Sequence, residues 1–394
     1  MNGLVTTQQA AQQAAAARQA NLQARALVLQ NSLEEIQQIY TMSFNPTSQN
    51  ILNIQPRNVG LIKGFLIKVT GTLLTGGTGT ATRTGYGAMN LLNNITFIDQ
   101  NNQTRTNTTG YLLGLMNSAR LGFGYGGAYA PNLPVAYGNN WSVQTAPATI
   151  ATTTTAAVSY YYYLPLAYSN TDLSGSIYAG VVTSTLNLQL TVNQNPIINT
   201  GDPLNAVYSG NNATGGWNTG NSCTITVYQV FLDQLPRIQT NQGLQVVLPP
   251  QDLQTIYALQ YTSQTGLTVG QDFGIPYANF RNFLSTIAIY DNAGVYNTGS
   301  DLNYFSLQAA NTQNVWKFDP NTAALFARNI FMADPPPGTY YFDSRSSPIN
   351  TQVFGNMLLN VNPSAVTTAA NIIVGWEMLY SVNQIVNASS LPSS

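Results

Sequence analysis

Hydrophobic and polar residues follow two different patterns along this chain, one in the first forty residues and another in the rest. Residues 7–40 contain no glycine or proline, and apolar positions recur there at alternating steps of four and three. That spacing lines them up on one side of a helix, and Pro46 follows soon afterwards. The pattern therefore predicts one helix over residues 7–40, with an apolar stripe made of Leu22, Ala26, Leu29, Leu33, Ile36 and Tyr40.

This stripe needs a partner, and the sequence leaves two possibilities open. Because the helix precedes every predicted strand, it can be a detached arm that docks on a neighbouring chain or under a shell. It can equally pack on its own domain. The charges of the segment cancel, so electrostatic binding to an anionic membrane would be weak. The positions we predict to form the interaction site are Leu22, Leu29, Leu33, Ile36 and Tyr40.

From about residue 50 onward, short β-branched and aromatic runs alternate with Gly, Asn, Thr and Pro, which is typical of all-β proteins. A proline-containing segment at 236–252 separates two series of such runs. The first series comprises 59–74, 91–99, 158–166, 184–192 and 223–232, and the second comprises 256–262, 283–291, 338–343, 356–361 and 371–380. The length and the number of runs predict two β-sandwiches of about eight strands each.

The two series show signs of internal repetition. Leu92, Ile95 and Asp99 each have a counterpart of the same type 192 positions later. The tyrosine run at 160–163 has an analogue in Tyr340 and Tyr341, at a different offset. These matches favour a duplication of one plan, with loops of different lengths.

The tyrosine run itself predicts a two-sided strand. Since side chains alternate along a strand, Tyr160 and Tyr162 should lie on one face and Tyr161 and Tyr163 on the other. One pair can fill a sandwich core. The other can pack against a neighbouring sandwich or subunit, where tyrosine is favoured for its broad ring and polar tip.

The composition excludes several functions. Charged residues make up 7% of the chain and the net charge is −1, whereas an ordinary soluble domain has about 25% charged residues. No basic patch is available for phosphate backbones, so no direct contact with nucleic acid is expected. The chain has no histidine, which removes the usual general base and the commonest zinc ligand. We therefore expect no enzyme activity, no cofactor and no metal.

Individual motifs do not change that view. Cys223 lies in an alternating apolar run with no basic neighbour, as a core thiol would. Gly122, Gly124 and Gly127 have dinucleotide-binding spacing, but Pro131 follows where a helix must begin. The oxygen-rich loop from Asp291 to Asn303 resembles a turn more than a calcium site, because the rhythm of an EF-hand is missing.

The N-terminus lacks the charged start and apolar run of a secretory signal, and no stretch is apolar for long enough to span a membrane as a helix. We therefore expect a protein that stays inside the cell in which it is made.

Several segments, in the same order along most of the chain, resemble the major capsid protein of tectiviruses. This double jelly-roll family builds icosahedral shells around an internal membrane. The strongest resemblance is in the continuation of the tyrosine strand through Leu164-Pro165-Leu166-Ala167-Tyr168-Ser169. Further matches are Asn21-Leu22-Gln23-Ala24-Arg25, Thr171-Asp172-Leu173, and the segments 58–70, 146–151, 226–236 and 277–294, with Gly299, Asp301, Asn303 and Tyr304.

The resemblance implies an all-β chain of two eight-stranded jelly rolls in tandem, preceded by an α-helical arm. The expected boundaries are 1–45 for the arm, 46–243 and 244–384 for the two rolls, and 385–394 for a tail. It further implies a homotrimeric, pseudo-hexagonal capsomer that is made in the host cytoplasm and assembles there into the virion capsid of a tectivirus-like bacteriophage. Expected partners are other copies of the chain, vertex and minor capsid proteins, and the membrane beneath the shell.

A different class of function remains as an alternative. Exposed tyrosines on a β-rich scaffold can stack on sugars, so the chain can also be interpreted as a carbohydrate-binding or glycan-cleaving surface protein. Self-assembly into large particles that contain lipid would favour the capsid hypothesis, and glycan binding by the purified protein would favour the alternative.

Overall fold

Strands dominate the computed structural model, which describes residues 7–121, 146–180, 185–199, 203–241, 243–292, 295–296, 301–309, 313–331, 338–366 and 370–381. The helices in this part of the chain are α1 (Thr7–Asn31), α2 (Gly110–Leu121), α3 (Pro250–Gln254), α4 (Pro320–Phe331) and α5 (Thr351–Phe354). Short 3₁₀ turns lie at Gly87–Leu91 and Pro203–Asn205.

The first half of the chain, up to residue 233, contributes the strands β1 (Leu33–Phe44), β2 (Ile51–Ile54), β3 (Leu61–Gly77), β4 (Ala81–Arg83), β5 (Leu92–Ile98), β6 (Thr104–Thr108), β7 (Thr149–Ile150), β8 (Thr155–Pro165), β9 (Ile177–Tyr178), β10 (Asn187–Val192), β11 (Ile197–Ile198), β12 (Tyr208–Ser209), β13 (Ala213–Trp217) and β14 (Cys223–Asp233). A hairpin of β15 (Arg237–Thr240) and β16 (Gly243–Val246) leads, through α3, to the second half.

The second half contains β17 (Thr255–Thr265), β18 (Phe273–Pro276), β19 (Asn282–Asn292), β20 (Val295–Tyr296), β21 (Leu302–Ala309), β22 (Gln313–Phe318), β23 (Thr339–Asp343), β24 (Ile349–Asn350), β25 (Met357–Pro363) and β26 (Ala370–Ser381).

The long strands form the same pair of four-stranded sheets in each half. In the first half, one sheet has the order β1-β14-β3-β8 and the other the order β2-β10-β5-β6. In the second half, the sheets are β17-β26-β19-β23 and β18-β25-β21-β22. Four strands facing four in this alternating order are a jelly roll. The structure therefore confirms the predicted double jelly roll.

One sheet crosses from the first roll to the second. Strand β6, at the edge of its sheet, pairs in parallel with β17 through Thr106 opposite Leu259 and Asn107 opposite Gln260. The β2-β10-β5-β6 sheet thus continues directly into β17-β26-β19. Backbone hydrogen bonds therefore tie the two rolls together.

The helix predicted over residues 7–40 is wrong beyond Asn31, where α1 ends. Residues 33–44, predicted as part of the helical arm, instead form β1, which pairs with β14 from Leu33 opposite Asp233 to Phe44 opposite Cys223. Over residues 33–40 the helical spacing rests on Leu33, Ile36 and Tyr40 alone, which is a weak signal for a helix. Pairing along a whole neighbouring strand outweighs a weak local helix propensity.

The predicted internal repeat is half right. Tyr340 and Tyr341 on β23 do occupy the places of Tyr162 and Tyr163 on β8. Strand β8 pairs with β3 in the first roll, and β23 pairs with the equivalent strand β19 in the second. The match at 192 positions is wrong, since β5 and β19 lie in sheets that do not correspond. Asp99 and Asp291 are both buried at 1% exposure, but in places that are not equivalent.

Two large apolar clusters fill the rolls. The cluster of the second roll consists of residues from that roll alone. The cluster of the first roll extends into the second and includes Tyr257, Leu259, Tyr341 and Phe331. The contact between the rolls is therefore a continuation of the first core, so the rolls are packed together rather than only linked.

Candidate interaction surfaces

The five predicted interaction residues are spread over two elements. Leu22 and Leu29 lie on α1, whereas Leu33, Ile36 and Tyr40 lie on β1. Leu22, Leu33 and Ile36 are 49%, 52% and 46% exposed. Leu29 is partly buried against a small apolar cluster under the helix, and Tyr40 against the first core. The single helical stripe does not exist, but three of its members are free apolar side chains on the surface of the described chain.

The helix is held to the body by polar residues that the apolar pattern did not identify. Asn21 and Arg25 are four residues apart, so they lie on the same side of α1. The Asn21 amide donates to Asp252 Oδ1 at 2.8 Å, and its oxygen accepts from the Gln251 backbone at 2.8 Å. Arg25 donates to both oxygens of Asp252, with Nε at 2.6 Å from Oδ2. We call this set of residues, on α1 and α3, the arm clamp.

The arm clamp has the electrostatics of a strong contact. Asp252 is 2% exposed. Its hydrogen bond raises the pKa of Arg25, and Asp172 adds to this from 3.1 Å. Beneath it, Val28 packs with Leu61, Leu173 and Leu232 in a small apolar cluster. In the sequence, this contact of the helix is indicated by the polar Asn21 and Arg25 four positions apart, followed by the apolar Val28 three positions later.

A buried ion pair connects the two rolls. Arg120, at the end of α2, lies 3.1 Å from the carboxylate of Glu377 on β26, which is fully buried. Tyr257 Oη donates to the same carboxylate at 2.9 Å and Ser285 Oγ at 2.8 Å. Arg120 also donates to Tyr257 Oη at 2.8 Å and to the carbonyl of Tyr168. Every polar atom of the carboxylate is thus engaged, as a buried charge requires.

The sequence also contains a signal for this ion pair. The chain has few acidic residues, yet a glutamate stands inside the apolar run "IIVGWEMLY" of β26. A charged residue in a buried strand needs an opposite charge nearby. The sequence could not identify Arg120 as that partner, because the two residues come from different rolls.

The tyrosine strand has the two faces that the alternation predicted. Tyr160 and Tyr162 are fully buried, and Tyr162 Oη donates to the carbonyl of Met89 at 2.9 Å. Tyr161 and Tyr163 point to the other side of β8 and are partly exposed. Lys68 lies 5.4 Å from the centre of the Tyr161 ring. The pair on the outer face is therefore available for contacts outside the first roll.

Two clefts lie at the surface near the rolls' helices. The larger, of about 370 Å³, is lined among others by Glu34, Ile36, Tyr163 and Val230 on the outer side of the first roll. The smaller, of about 260 Å³, is lined among others by Trp316, Phe318, Phe326 and Ile330 of the second roll. The smaller cleft is rich in aromatic side chains, as expected of protein interfaces, whereas the larger also has polar and charged residues in its lining, among them Asn117 and Arg120.

The remaining motifs behave as structural elements where the chain is described. Cys223 is fully buried, and burial raises the pKa of its thiol to about 12, so it is not a reactive thiolate. Gly122, Gly124 and Gly127 lie outside the described residues, as do parts of the loop between Asp291 and Asn303. No group of metal-binding side chains occurs among the residues that are described. In the same part of the chain, no helix has the length and hydropathy needed to span a membrane.

Comparison with known proteins gives consistent matches over the whole chain. The model of the P3 major capsid protein N-terminal family matches residues 1–235, and that of the P3 major capsid protein C-terminal family matches residues 254–393. The major capsid protein P3 of Enterobacteria phage PRD1 is 39% identical over 99% of this chain and 98% of its own length. Both matches are to structural proteins, in agreement with the predicted absence of enzyme activity.

Solved structures with low sequence identity share the fold. A chain of Sulfolobus turreted icosahedral virus has a TM-score of 0.61 at 10% identity, covering 91% of this chain and 94% of its own. A chain of the PBCV-1 virus capsid has a TM-score of 0.51 at 12% identity, covering 89% and 94%. At these identities the likeness supports the double jelly roll and nothing further.

Proposed function

The chain belongs to the P3 major capsid protein family and is the major capsid protein of a PRD1-like phage, and from this we propose that three copies form a pseudo-hexagonal capsomer. These capsomers assemble into an icosahedral shell around an internal membrane. The observation that carries the proposal is the 39% identity to the PRD1 protein across 99% of the chain. Vertex proteins, minor capsid proteins and the membrane beneath the shell are the further proposed partners.

The distribution of charge supports a role in repeated assembly. Charged residues make up only 7% of the chain, and ten of them are paired with one another, in Arg25–Asp252, Lys63–Glu34, Arg105–Asp99, Arg120–Glu377 and Arg345–Asp343. A surface left mainly to uncharged polar and apolar groups can be buried between subunits without removing ions from water, which would cost several kcal/mol per ion. Such a surface suits a subunit that must be packed many times over in one shell.

The exposed apolar residues of the arm support a contact between capsomers. Leu22 is 49% exposed on a helix that projects from the arm clamp. Residues 9–20, which precede the clamp, are exposed along their whole length. We expect Leu22→Asp to leave the capsomer intact and to reduce the yield of closed shells, because it changes only a surface outside the rolls.

The experiment that tests the proposal uses material purified under native conditions. Light scattering should give three times the chain mass of 42.5 kDa for the released capsomer, and electron microscopy should show shells that contain lipid. A monomeric protein that forms no particles, or one that binds glycans on an array, would favour the carbohydrate-binding alternative instead.

A further inference from the structure

The joint between the two rolls of one chain provides a template for a second joint. We call the contact between the two rolls of one chain the closed joint. In it, β6 of the first roll pairs in parallel with β17 of the second. Helix α2, which follows β6, is buried with the outer side of the β17-β26-β19-β23 sheet. Since both rolls have the same strand order, the second roll carries its own copy of the β6 and α2 surface, and the first carries its own copy of the β17 surface.

A bulge shared by both rolls aligns the two copies residue by residue. Strands β3 and β14 shift register between Val230 and Phe231. Strands β19 and β26 shift in the same place, between Glu377 and Met378. Val230 therefore corresponds to Glu377. Ile36 on β1 lies opposite Val230, and Leu259 on β17 lies opposite Glu377, so Ile36 corresponds to Leu259.

The helices align just as clearly. Both α2 and α4 have 12 residues and begin two positions after an edge strand. A side chain immediately before each helix accepts from its first turn, Thr109 in the first roll and Asp319 in the second. By this alignment Leu325 corresponds to Leu115, Phe326 to Met116, and Ile330 to Arg120.

Equivalent residues are buried in the closed joint and exposed at the other surfaces. Leu115 and Met116 are 0% and 4% exposed, whereas Leu325 and Phe326 are 55% and 43% exposed. Leu259 is 1% exposed, whereas its counterpart Ile36 is 46% exposed. Apolar side chains occupy corresponding places in all these cases. The difference lies only in whether another roll covers them.

The two exposed surfaces complement each other where they would meet. The buried ion pair of the closed joint, Arg120 with Glu377, corresponds to Ile330 and Val230. Both members of the pair have changed from charged to aliphatic, so neither would be left with an unpaired charge.

A second pair of equivalent positions shows the same complementarity in size. In the closed joint, a side chain added at Gly375 would meet Leu112 at 3.1 Å. The counterparts of these residues are Tyr228 and Thr322. The closed joint thus has the large Leu112 next to Gly375, whereas the other surfaces have the smaller Thr322 and the large Tyr228. The combined volume of the two side chains is therefore similar.

We propose that the β22 and α4 surface of one copy docks on the β1 edge of a second copy, in an open joint that repeats the closed one. Strand β22 pairs in parallel with β1, with Trp316 opposite Ile36 and Lys317 opposite Gln37. Within the described chain, β1 and β22 each lie at the end of their sheet. The proposal rests on the proposed trimer, because three such head-to-tail joints close a ring.

Cysteine cross-linking tests the register. Facing Cα atoms on adjacent strands are about 4.8 Å apart, a distance that a disulfide spans. The chain offers a clean background, since its one cysteine is buried. We expect Q37C/K317C to form covalent dimers and trimers on mild oxidation. The control T41C/K317C, displaced by about 13 Å along β1, should form none.

A second variant tests the surface without relying on cross-links. Phe326→Asp should lower the fraction of trimer at least tenfold at micromolar concentration, while the monomer stays folded because the site is exposed. Phe354→Asp is the matched control, since Phe354 is 52% exposed on α5 and outside both surfaces.

The outcomes separate this inference from the function it rests on. A wild-type trimer that shows no Q37C/K317C cross-link, or that tolerates Phe326→Asp as well as Phe354→Asp, contradicts the open joint and leaves the trimer standing. A wild-type chain that is monomeric under native conditions contradicts both.

Discussion

The closed joint and the outer surfaces of the same two rolls share one geometry but differ at the positions of one ion pair. The closed joint contains a fully buried glutamate paired with Arg120. The equivalent positions at the outer surfaces are Val230 and Ile330. The fold specifies where two rolls meet, while the residues at a few positions specify whether a surface suits contact within one chain or between chains.

The physical reason is the stage at which each surface is buried. The closed joint forms once, as the chain folds, and its polar groups find their partners within the same molecule. A surface that joins separate molecules is first exposed to water. Burying an ion there would cost its full hydration, whereas burying an aliphatic side chain is favourable by about 25 cal/mol per Å². An aliphatic residue such as Ile36, which is 46% exposed, is therefore consistent with assembly after folding.

The largest effect is expected from breaking the ion pair of the closed joint. Arg120→Ala leaves Glu377 buried without its opposite charge, which should destabilise the chain by about 3–5 kcal/mol. The double variant R120I/E377V copies the residues of the outer surfaces and should recover a large part of that loss. Urea unfolding of both variants checks this. If the double variant is no more stable than the single one, the two joints are not interchangeable.

The next largest effect is expected at the arm clamp. Asp252→Ala removes the acceptor shared by Asn21 and Arg25 and should cost about 1–3 kcal/mol. The helix should then detach, so that trypsin cleaves after Arg18 and Arg25 much faster than in the wild type. Leu22→Ser is the control, because an exposed residue outside the clamp should leave the cleavage rate unchanged. Equal protection in the Asp252 variant would mean that apolar packing alone holds the arm.

A smaller difference should separate the two faces of the tyrosine strand. Tyr162→Phe removes the buried hydroxyl that donates to the carbonyl of Met89 and should cost about 1–2 kcal/mol. Tyr163→Phe removes a hydroxyl from the partly exposed face and should cost less than about 0.5 kcal/mol. Thermal unfolding of both variants measures the contrast. Equal losses would show that the outer face is as tightly packed as the core.

The smallest effect is expected from pH between about 5.5 and 8, because no histidine is present to titrate there. Burial raises the pKa of Tyr277 and of Cys223 to about 12 each. Since these groups ionise more easily in the unfolded chain, their contribution is fully present at neutral pH. It is lost as the pH rises from the unfolded values, about 8.5 to 10, towards 12. Light scattering of shells checks both ranges, and a dissociation midpoint near pH 6.5 would contradict the first.

Much of the fold could be predicted because it depends on local patterns. The strand series on either side of 236–252 gave two sandwiches, and the alternation at 160–163 assigned each tyrosine to its face. The equivalence of Tyr162 and Tyr163 with Tyr340 and Tyr341 was also visible. The match of residues 192 positions apart predicted a wrong equivalence between β5 and β19. Short strands with apolar alternation resemble one another whether or not they occupy the same place in a roll.

The interaction residues were harder to predict for the same physical reason. Leu33 and Ile36, two of the predicted interaction residues, are exposed, but they lie on the strand β1 and not on the predicted helix. The step of three from Leu33 to Ile36 fits a helix, but it puts the two side chains on opposite faces of a strand, so the apolar stripe is lost on β1. Only the presence of β14 alongside decides between them, and β14 is nearly two hundred residues away in the chain.

The sequence by itself determined the class of this protein: its alternating strands, neutral composition and lack of histidine specify a β-rich structural subunit, because each follows from residue types and short-range order. The tertiary structure alone decided that α1 ends at Asn31, that Asp252 receives Asn21 and Arg25, and that Arg120 meets Glu377 between the rolls. These contacts join residues more than two hundred positions apart. Their energies depend on distance and burial, which no local pattern contains.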